Sequence, residues 1–289
     1  MDPLSRRRMI KINQRPYIQL LEESFPGFRD NLIRWEALGF SWDSSKRFMK
    51  EEKGEVLSHV ALMECPMLIE GQWHKIGALH GICTKASHRG RGFASELIQE
   101  AIQWSTESCE AVLLFTGIPS FYEKLSFRQI QEYRFHLPHP HPKGSQPSRP
   151  VVAPQDNDLF LRCFREREPL SHRLWVKDNG AVASFNALFA TFPTYWSVYY
   201  CPMIDGLISY QLKDRTLHLY DIAASKMPPL DVILDHLPAA IDDIYFYFSP
   251  DQLTDEAIPE PHLYDDGHLM ICGSWHTLQP FMIPPLSRC

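Results

Sequence analysis

No apolar run in the 289 residues is long enough to cross a bilayer, and the opening MDPLSRRRMIKINQ has no secretory apolar segment. A cytoplasmic protein without membrane contacts is therefore expected. C-x-x-C is also missing. The seven cysteines, at 65, 83, 109, 163, 201, 272 and 289, are scattered and odd in number, which fits reduced thiols and argues against a zinc site. A basic excess is absent too: the net charge is -6 and the acidic surplus sits in the second half, which argues against a nucleic-acid partner. Arg6, Arg7 and Arg8 are expected to be a solvated terminus.

What the chain does have is Ala78–Leu97, which passes from apolar alternation through a basic glycine turn into an amphipathic helix. The turn is Arg89, Gly90, Arg91, Gly92, Phe93 and Ala94. Glycines let a backbone come close to a ligand, and a helix start presents unpaired N–H groups, so this is a cradle for a pyrophosphate. It is neither a P-loop, since no Gly-Lys-Ser/Thr follows, nor a dinucleotide fingerprint, since the glycine spacing differs. A tight strand-to-helix connection with no ligand is the competing reading of the turn alone.

Around it, residues 14–34 show helical spacing broken at Pro26-Gly27, and Trp35–Trp42 is a loop rich in aromatics. That loop either lines a pocket or packs in the core. Ser44–Lys53 is expected as a short helix. Glu55–Glu64, Pro66–Ile69 and Trp73–Lys85 are expected as strands, the last two joined by a turn at Gly71-Gln72. Phe93–Ser105 is a helix whose apolar face carries Leu97, Ile98, Ala101, Ile102 and Ser105. Glu110–Thr116 is a buried strand, Pro119–Leu125 a helix and Phe127–His136 a strand. The result is an α/β (α+β) domain with a mixed, mostly antiparallel sheet.

Arg89, Gly92 and Ala94 fill the pattern Arg/Gln-x-x-Gly-x-Gly/Ala, which resembles the acetyl-CoA signature of the GNAT N-acetyltransferase superfamily. About thirty residues on, Phe121–Phe127 resembles the family's Tyr-x-x-x-Gly-Phe segment, with Tyr122 at the tyrosine. The element order agrees over residues 10–137. One departure stands out: the family's glycine is Ser126 here, and serine costs more than glycine at positive φ, which bears on where Tyr122 is placed.

The resemblance implies acetyl-CoA as co-substrate and a primary amine as acceptor, whether a small molecule, a peptide or a protein. It gives the pyrophosphate to the amides of Arg91, Gly92, Phe93 and Ala94, with Arg89 and Gly90 shaping the approach. The pantetheine arm falls to the backbone around Ile82 and Thr84. Tyr122 is the proton donor to the leaving thiolate. His80, expected on the same alternating face as Ile82 and Thr84, is the preferred general base, with Glu64 and Glu23 behind it and a water chain as another route. Tyr122 packed by Phe121 and Phe127, and His80 as a strand histidine, are the structural alternatives.

Residues 138–154 hold alternating prolines and are expected as an extended linker. These prolines hold His136, His139 and His141 apart, so no metal is expected. Residues 155–289 repeat a GNAT-like order: helices over Asn157–Glu166 and Pro169–Val176, strands over Tyr195–Tyr200, Gly206–Lys213 and Thr216–Ala223, a helix over Pro229–Leu237, then strands at Asp243–Phe248 and Leu269–Cys272. The glycine turn is replaced by Asp221–Pro229. The expected organisation is a catalytic domain over 1–137 and a degenerate GNAT-like domain over 155–289 without a CoA motif. The second domain either walls the acceptor pocket or mediates self-association into a homo-oligomer. This tandem resembles the first two domains of Eis-like acetyltransferases, which further implies that the chain end reaches the first active site. The competing function is an acyl-CoA-binding regulatory module without turnover.

Overall fold

The computed structural model describes residue 12 and residues 14–188, 197–277 and 279–289. Arg6–Arg8 and residues 195–196 lie outside the described residues.

Helices α1 (Ile18–Ser24) and α2 (Phe28–Glu36) flank Pro26-Gly27, and Gly27 takes φ +86° as the cap of α2. After the aromatic loop comes a correction. Ser44–Lys53 is not a helix: Lys46–Glu52 is strand β1, paired antiparallel with β2 (Glu55–Glu64). The deciding feature is Lys53-Gly54, whose φ values of +52° and +81° make a two-residue hairpin turn. Strands β3 (Met67–Ile69) and β4 (Gln72–His74) form a second hairpin, and β5 (Ile76–Thr84) leads to the glycine turn. Then follow α3 (Phe93–Ser105), β6 (Ala111–Thr116), α4 (Pro119–Glu123), β7 (Arg128–Ile130) and β8 (Glu132–His141). Leu97, Ile98, Ala101 and Ser105 are the buried face of α3, as its spacing predicts.

The proline-rich stretch is not a free linker. Strand β8 runs through Pro138 and Pro140 to His141, paired with Ile241–Phe246, and Arg149-Pro150 form the short strand β9. Prolines are accommodated at a register shift of the ladder, between Ile241 and Asp243 of the partner strand. Helix α5 (Asn157–Glu166) is as expected, but Pro169–Val176 is an irregular segment ending in strand β10 (Leu174–Val176), which extends the β3–β4 hairpin. Helix α6 (Ala181–Leu188), strands β11 (Ser197–Cys201), β12 (Gly206–Lys213) and β13 (Thr216–Ala223), helix α7 (Leu230–Leu234) and strand β14 (Ile241–Phe246) follow. Two further strands, β15 (Ile258–His262) and β16 (His268–Gly273), close the series.

Among the described residues the strands form three sheets: β1-β2-β5-β6-β16-β7, β10-β3-β4 and β15-β8-β14-β13-β12-β11-β9. The large sheets are antiparallel except for one parallel pair each, β5 with β6 and β13 with β14. Each parallel pair is bridged by a helix, α3 in the first and α7 in the second. Strand β16 departs from expectation: it sits in the first sheet, pairing Leu269 with Phe115 of β6 and with Ile130 of β7. A six-residue apolar strand carries no mark of which sheet it joins; the gap between β6 and β7 selects it. The first unit is thus completed by residues from beyond the expected boundary. No helix among the described residues is long and apolar enough to cross a membrane.

Candidate active site

The site begins where β5 and β6 part. Their parallel pairs are Ile76↔Ala111, Gly77↔Val112 and Ala78↔Leu113, and among the described residues they form none beyond these. Strand β5 runs on to Thr84 with its β6-facing edge open. An open edge offers free N–H and C=O groups to any extended chain that enters.

At the far end of β5 lies the glycine turn. Gly90 and Gly92 take φ of +76° and +84°, and a Cβ on either would meet nothing within 4 Å. Gly92 caps α3, whose first intrahelical bond runs from Glu96 N–H to the Gly92 carbonyl at 3.0 Å. The amides of Phe93, Ala94 and Ser95 therefore have no partner within the helix and point out of its positive end. Arg89 is turned back, its Nε donating to the Thr84 carbonyl at 3.2 Å, so this guanidinium ties the turn to the strand.

A bulge lies between. The β2–β5 register passes from His59↔Cys83 to Ala61↔His80, which leaves one extra residue on β5 at Gly81-Ile82. Gly81 takes φ +58°, and a Cβ there would lie 3.3 Å from the His59 ring. The His59 imidazole, fully buried, is 2.8 Å from the Gly81 carbonyl through Nδ1, so Nδ1 carries the proton and donates. Burial then pushes the His59 pKa down to about 4, the Gly81 bond opposing and Arg47 assisting. Nothing in the residues next to His59 marks it as part of the site; a glycine inside a strand is the signal for such a bulge.

The bulge resets the alternation, and this corrects one expectation. Ile82 packs with Leu79, Leu97 and Tyr122 on the α3 face, and Thr84 bonds Ser58 at 2.8 Å. His80 faces the other way, with Nε2 at 2.9 Å from Ser45 Oγ and its ring edge-on to Trp42 at 4.7 Å. His80 does not share a face with Ile82 and Thr84. Burial drives its pKa down to about 3, with His59 adding to the effect. It is a neutral imidazole across the physiological range.

Tyr122 stands at the end of α4 on the α3 face, 7% exposed, edge-on to Phe121 and Phe127. Burial raises its pKa, and a hydrogen bond with Thr116 at the end of β6 works against that. Ser126 takes the left-handed conformation at φ +68°. Its N–H bonds the Glu123 carbonyl at 3.2 Å while Phe127 N–H bonds that of Tyr122 at 3.2 Å, the paired bonds of a glycine-type helix cap made with serine. Serine thus adopts the turn conformation that glycine takes at lower cost.

On the His80 face the aromatic loop is both wall and core. Trp35 is buried and donates Nε1–H to the Ala181 carbonyl at 2.8 Å, while Trp42 is half-buried against Phe185 of α6. On that face of β6, Arg288 lies 3.9 Å from the Phe115 ring centre. The turn, Ile82, Thr84 and Tyr122 are thus together on one side of the splayed strands, and His80, Trp42 and Phe115 mark the other.

Such a site belongs to an α+β protein that can grip a pyrophosphate at a helix start and an extended arm along an open strand edge. Residues 7–130 match the family described as Acetyltransferase (GNAT) domain, so the chain carries a GNAT acetyltransferase domain over that stretch. Solved structures agree in fold over nearly the whole chain. A conserved protein from Enterococcus faecalis V583, described as a probable N-acyltransferase, has TM-score 0.55 and 12% identity, with 94% of this chain and 70% of that one covered. A GCN5-related N-acetyltransferase from Anabaena variabilis has TM-score 0.54 and 14% identity, covering 89% and 70%. Eis1 from Mycobacterium abscessus has TM-score 0.53 and 12% identity, covering 94% and 71%. No curated protein matches the sequence.

Proposed function

We propose that the chain transfers an acetyl group directly from acetyl-CoA to a primary amine. The observation that carries this is the juxtaposition of the β5–β6 splay with the uncapped amides of the Arg91–Ala94 turn. Backbone amides of Arg91, Gly92, Phe93 and Ala94 take the pyrophosphate, with Arg89 and Gly90 shaping the turn. The open edge of β5 at Ile82 and Thr84 pairs with the pantetheine arm, and the thioester lies in the splay beyond Ala78.

The amine enters from the His80 face. Its nitrogen attacks the thioester carbonyl, the C–S bond breaks, and the proton lost by the amine must leave. His80 is unprotonated and able to accept it, but with so low a pKa it releases the proton to water in the acceptor pocket rather than keeping it, while its hydrogen bond with Ser45 orients the ring. Tyr122, which burial keeps protonated, donates to the departing sulfur, and its phenolate takes a proton back from water, replacing the one the amine lost. Phe185 brings the second unit against Trp42, which supports that unit as a wall of the acceptor pocket. The acceptor is a small amine or a peptide or protein amine, and the cysteines, free where the structure records them, fit a cytoplasmic setting.

In the second unit the last β13–β14 pair is Leu219↔Phe246, just beyond which the buried Tyr220 and Tyr247 cluster with Met282, and Asp221–Pro229 stands where the turn would be. We assign it as a degenerate GNAT-like unit without a CoA site. Calorimetric titration with CoA should give one site per chain; two would overturn this assignment. The low basicity of His80 favours a second reading, an acyl-CoA-binding module without turnover. Incubation with acetyl-CoA and a panel of amines separates the two: free thiol released only with an amine supports transfer, and CoA binding without thiol release supports the module.

A further inference from the structure

At the other end of β5 and β6, away from the splay, three side chains from three separate segments converge. His74 ends β4, Glu110 precedes β6 and His276 follows β16. His74 Nδ1 is 2.9 Å and His276 Nε2 3.1 Å from the same oxygen, Glu110 Oε2. The two imidazoles stack with centroids 4.1 Å apart, and one donor atom from each of the three residues lies within 4.8 Å of the others.

We propose that His74, Glu110 and His276 bind one zinc ion, and that the bound ion clips the segment after β16 to the end of β4 and the start of β6. Two imidazole nitrogens and one carboxylate oxygen are a zinc donor set; magnesium and calcium take oxygen-only sets. Zinc bonds of about 2.0–2.1 Å put neighbouring donors roughly 3.3 Å apart in a tetrahedron, close to the two distances to Glu110. The remaining position faces solvent and takes water.

The backbone holds the donors in place before any ion arrives. Glu110 N–H donates to the Lys75 carbonyl at 2.8 Å, Ser274 N–H to the Glu110 carbonyl at 3.1 Å, and Lys75 N–H to Glu110 Oε1 at 3.0 Å. The last of these fixes the carboxylate rotamer and leaves Oε2 for the ion, as partners outside the ligand shell do in zinc sites. None of the three residues takes part in the proposed transfer, so the site is independent of that reading. Strand β5 separates it from the glycine turn by about 25 Å at ~3.3 Å per residue.

The test uses the full chain stripped with chelator. Zinc is titrated by calorimetry, and cobalt(II) by its visible absorption, for the wild type, His74→Ala, His276→Ala, Glu110→Gln, His172→Ala and Cys109→Ser. His172 is an exposed histidine elsewhere, and Cys109 is the thiol adjacent to Glu110. The expected result is one ion per chain in the wild type, His172→Ala and Cys109→Ser. Each ligand variant should bind at least about 100-fold more weakly. No stoichiometric binding in the wild type would overturn the proposal and leave the cluster held by hydrogen bonds alone. Unchanged binding in His74→Ala and His276→Ala, or loss in Cys109→Ser, would also overturn it.

Discussion

Glu132, the first residue of β8, accepts two hydrogen bonds from Arg288 Nη1, at 2.8 and 2.9 Å, with both side chains buried. Glu132 also accepts Ile283 N–H at 3.0 Å, and Asp266 takes Arg288 Nε at 2.6 Å. One carboxylate thus holds residues 283–288 against the strand that links the two large sheets. Arg288→Ala removes the charge and leaves Glu132 buried without it, which is expected to cost about 3–5 kcal/mol. The paired change Arg288→Met with Glu132→Leu should recover most of that loss. Denaturant unfolding of the wild type and the two variants checks both; equal stability of the single and paired variants would refute the pairing argument.

Gly92→Val is expected to abolish CoA binding measured by calorimetry. Open space surrounds the Gly92 Cβ position in the protein alone, so a collision can come only from a ligand. Part of the effect would be strain, about 1–3 kcal/mol for a β-branched residue at φ +84°. Gly92→Asn separates the two causes, because asparagine tolerates this conformation. Its melting temperature should stay near wild type while CoA affinity still falls. Full CoA affinity in both variants would remove the turn from the binding site.

Ser126→Gly should stabilise the protein by about 0.5–1 kcal/mol. The left-handed serine at φ +68° is strained by roughly 1–2 kcal/mol, and the extra freedom of glycine in the unfolded chain returns part of that. Thermal unfolding reads the effect; a lower melting temperature would mean that the serine side chain contributes more than its backbone costs.

The first unit was largely legible because its signals are local. The glycine turn, the spacing of Leu97, Ile98, Ala101 and Ser105, and Tyr122 before a tight cap all announce themselves within a few residues. What escaped depends on long-range choice. Leu269–Cys272 is visibly a strand, but its place between β6 and β7 is set by a vacancy in a distant sheet. His80 and Ile82 look in phase until Gly81 adds a residue to β5, and the bulge is held by His59, whose contact spans 22 positions. Lys46–Glu52 is a short polar stretch with weak periodicity, so the hairpin is marked only by the Lys53-Gly54 turn.

The buried histidines make stability sensitive to acid. His59 has its native pKa lowered from 6.5 to about 4, so between these values the unfolded chain binds a proton that the native one does not. The stabilisation is present above pH 6.5 and is lost as pH falls towards 4. From pH 6.5 to 5 the loss is about 2 kcal/mol. His59→Gln keeps an amide donor for the Gly81 carbonyl without titrating there. Its unfolding free energy should vary with pH by about 2 kcal/mol less over that window. A pH profile parallel to wild type would show that His59 ionises freely in the folded protein.

Tyr122 and His80 predict different kinetic signatures. Tyr122→Phe keeps the ring that packs on Phe127 and removes only the donor, so kcat should fall about 10²–10⁴-fold while the KM for acetyl-CoA stays nearly constant. Burial holds the His80 pKa down at about 3, so it does not titrate between pH 8 and 6 and cannot produce a loss of rate there. Any such limb belongs to protonation of the acceptor amine, which must be neutral to attack. His80→Gln should therefore lower the whole pH–rate profile without moving its acid limb, and the limb should move instead when the acceptor is replaced by an amine of lower pKa. A limb that disappears in His80→Gln would mean that the imidazole titrates near neutrality during turnover, against the burial that the structure gives it.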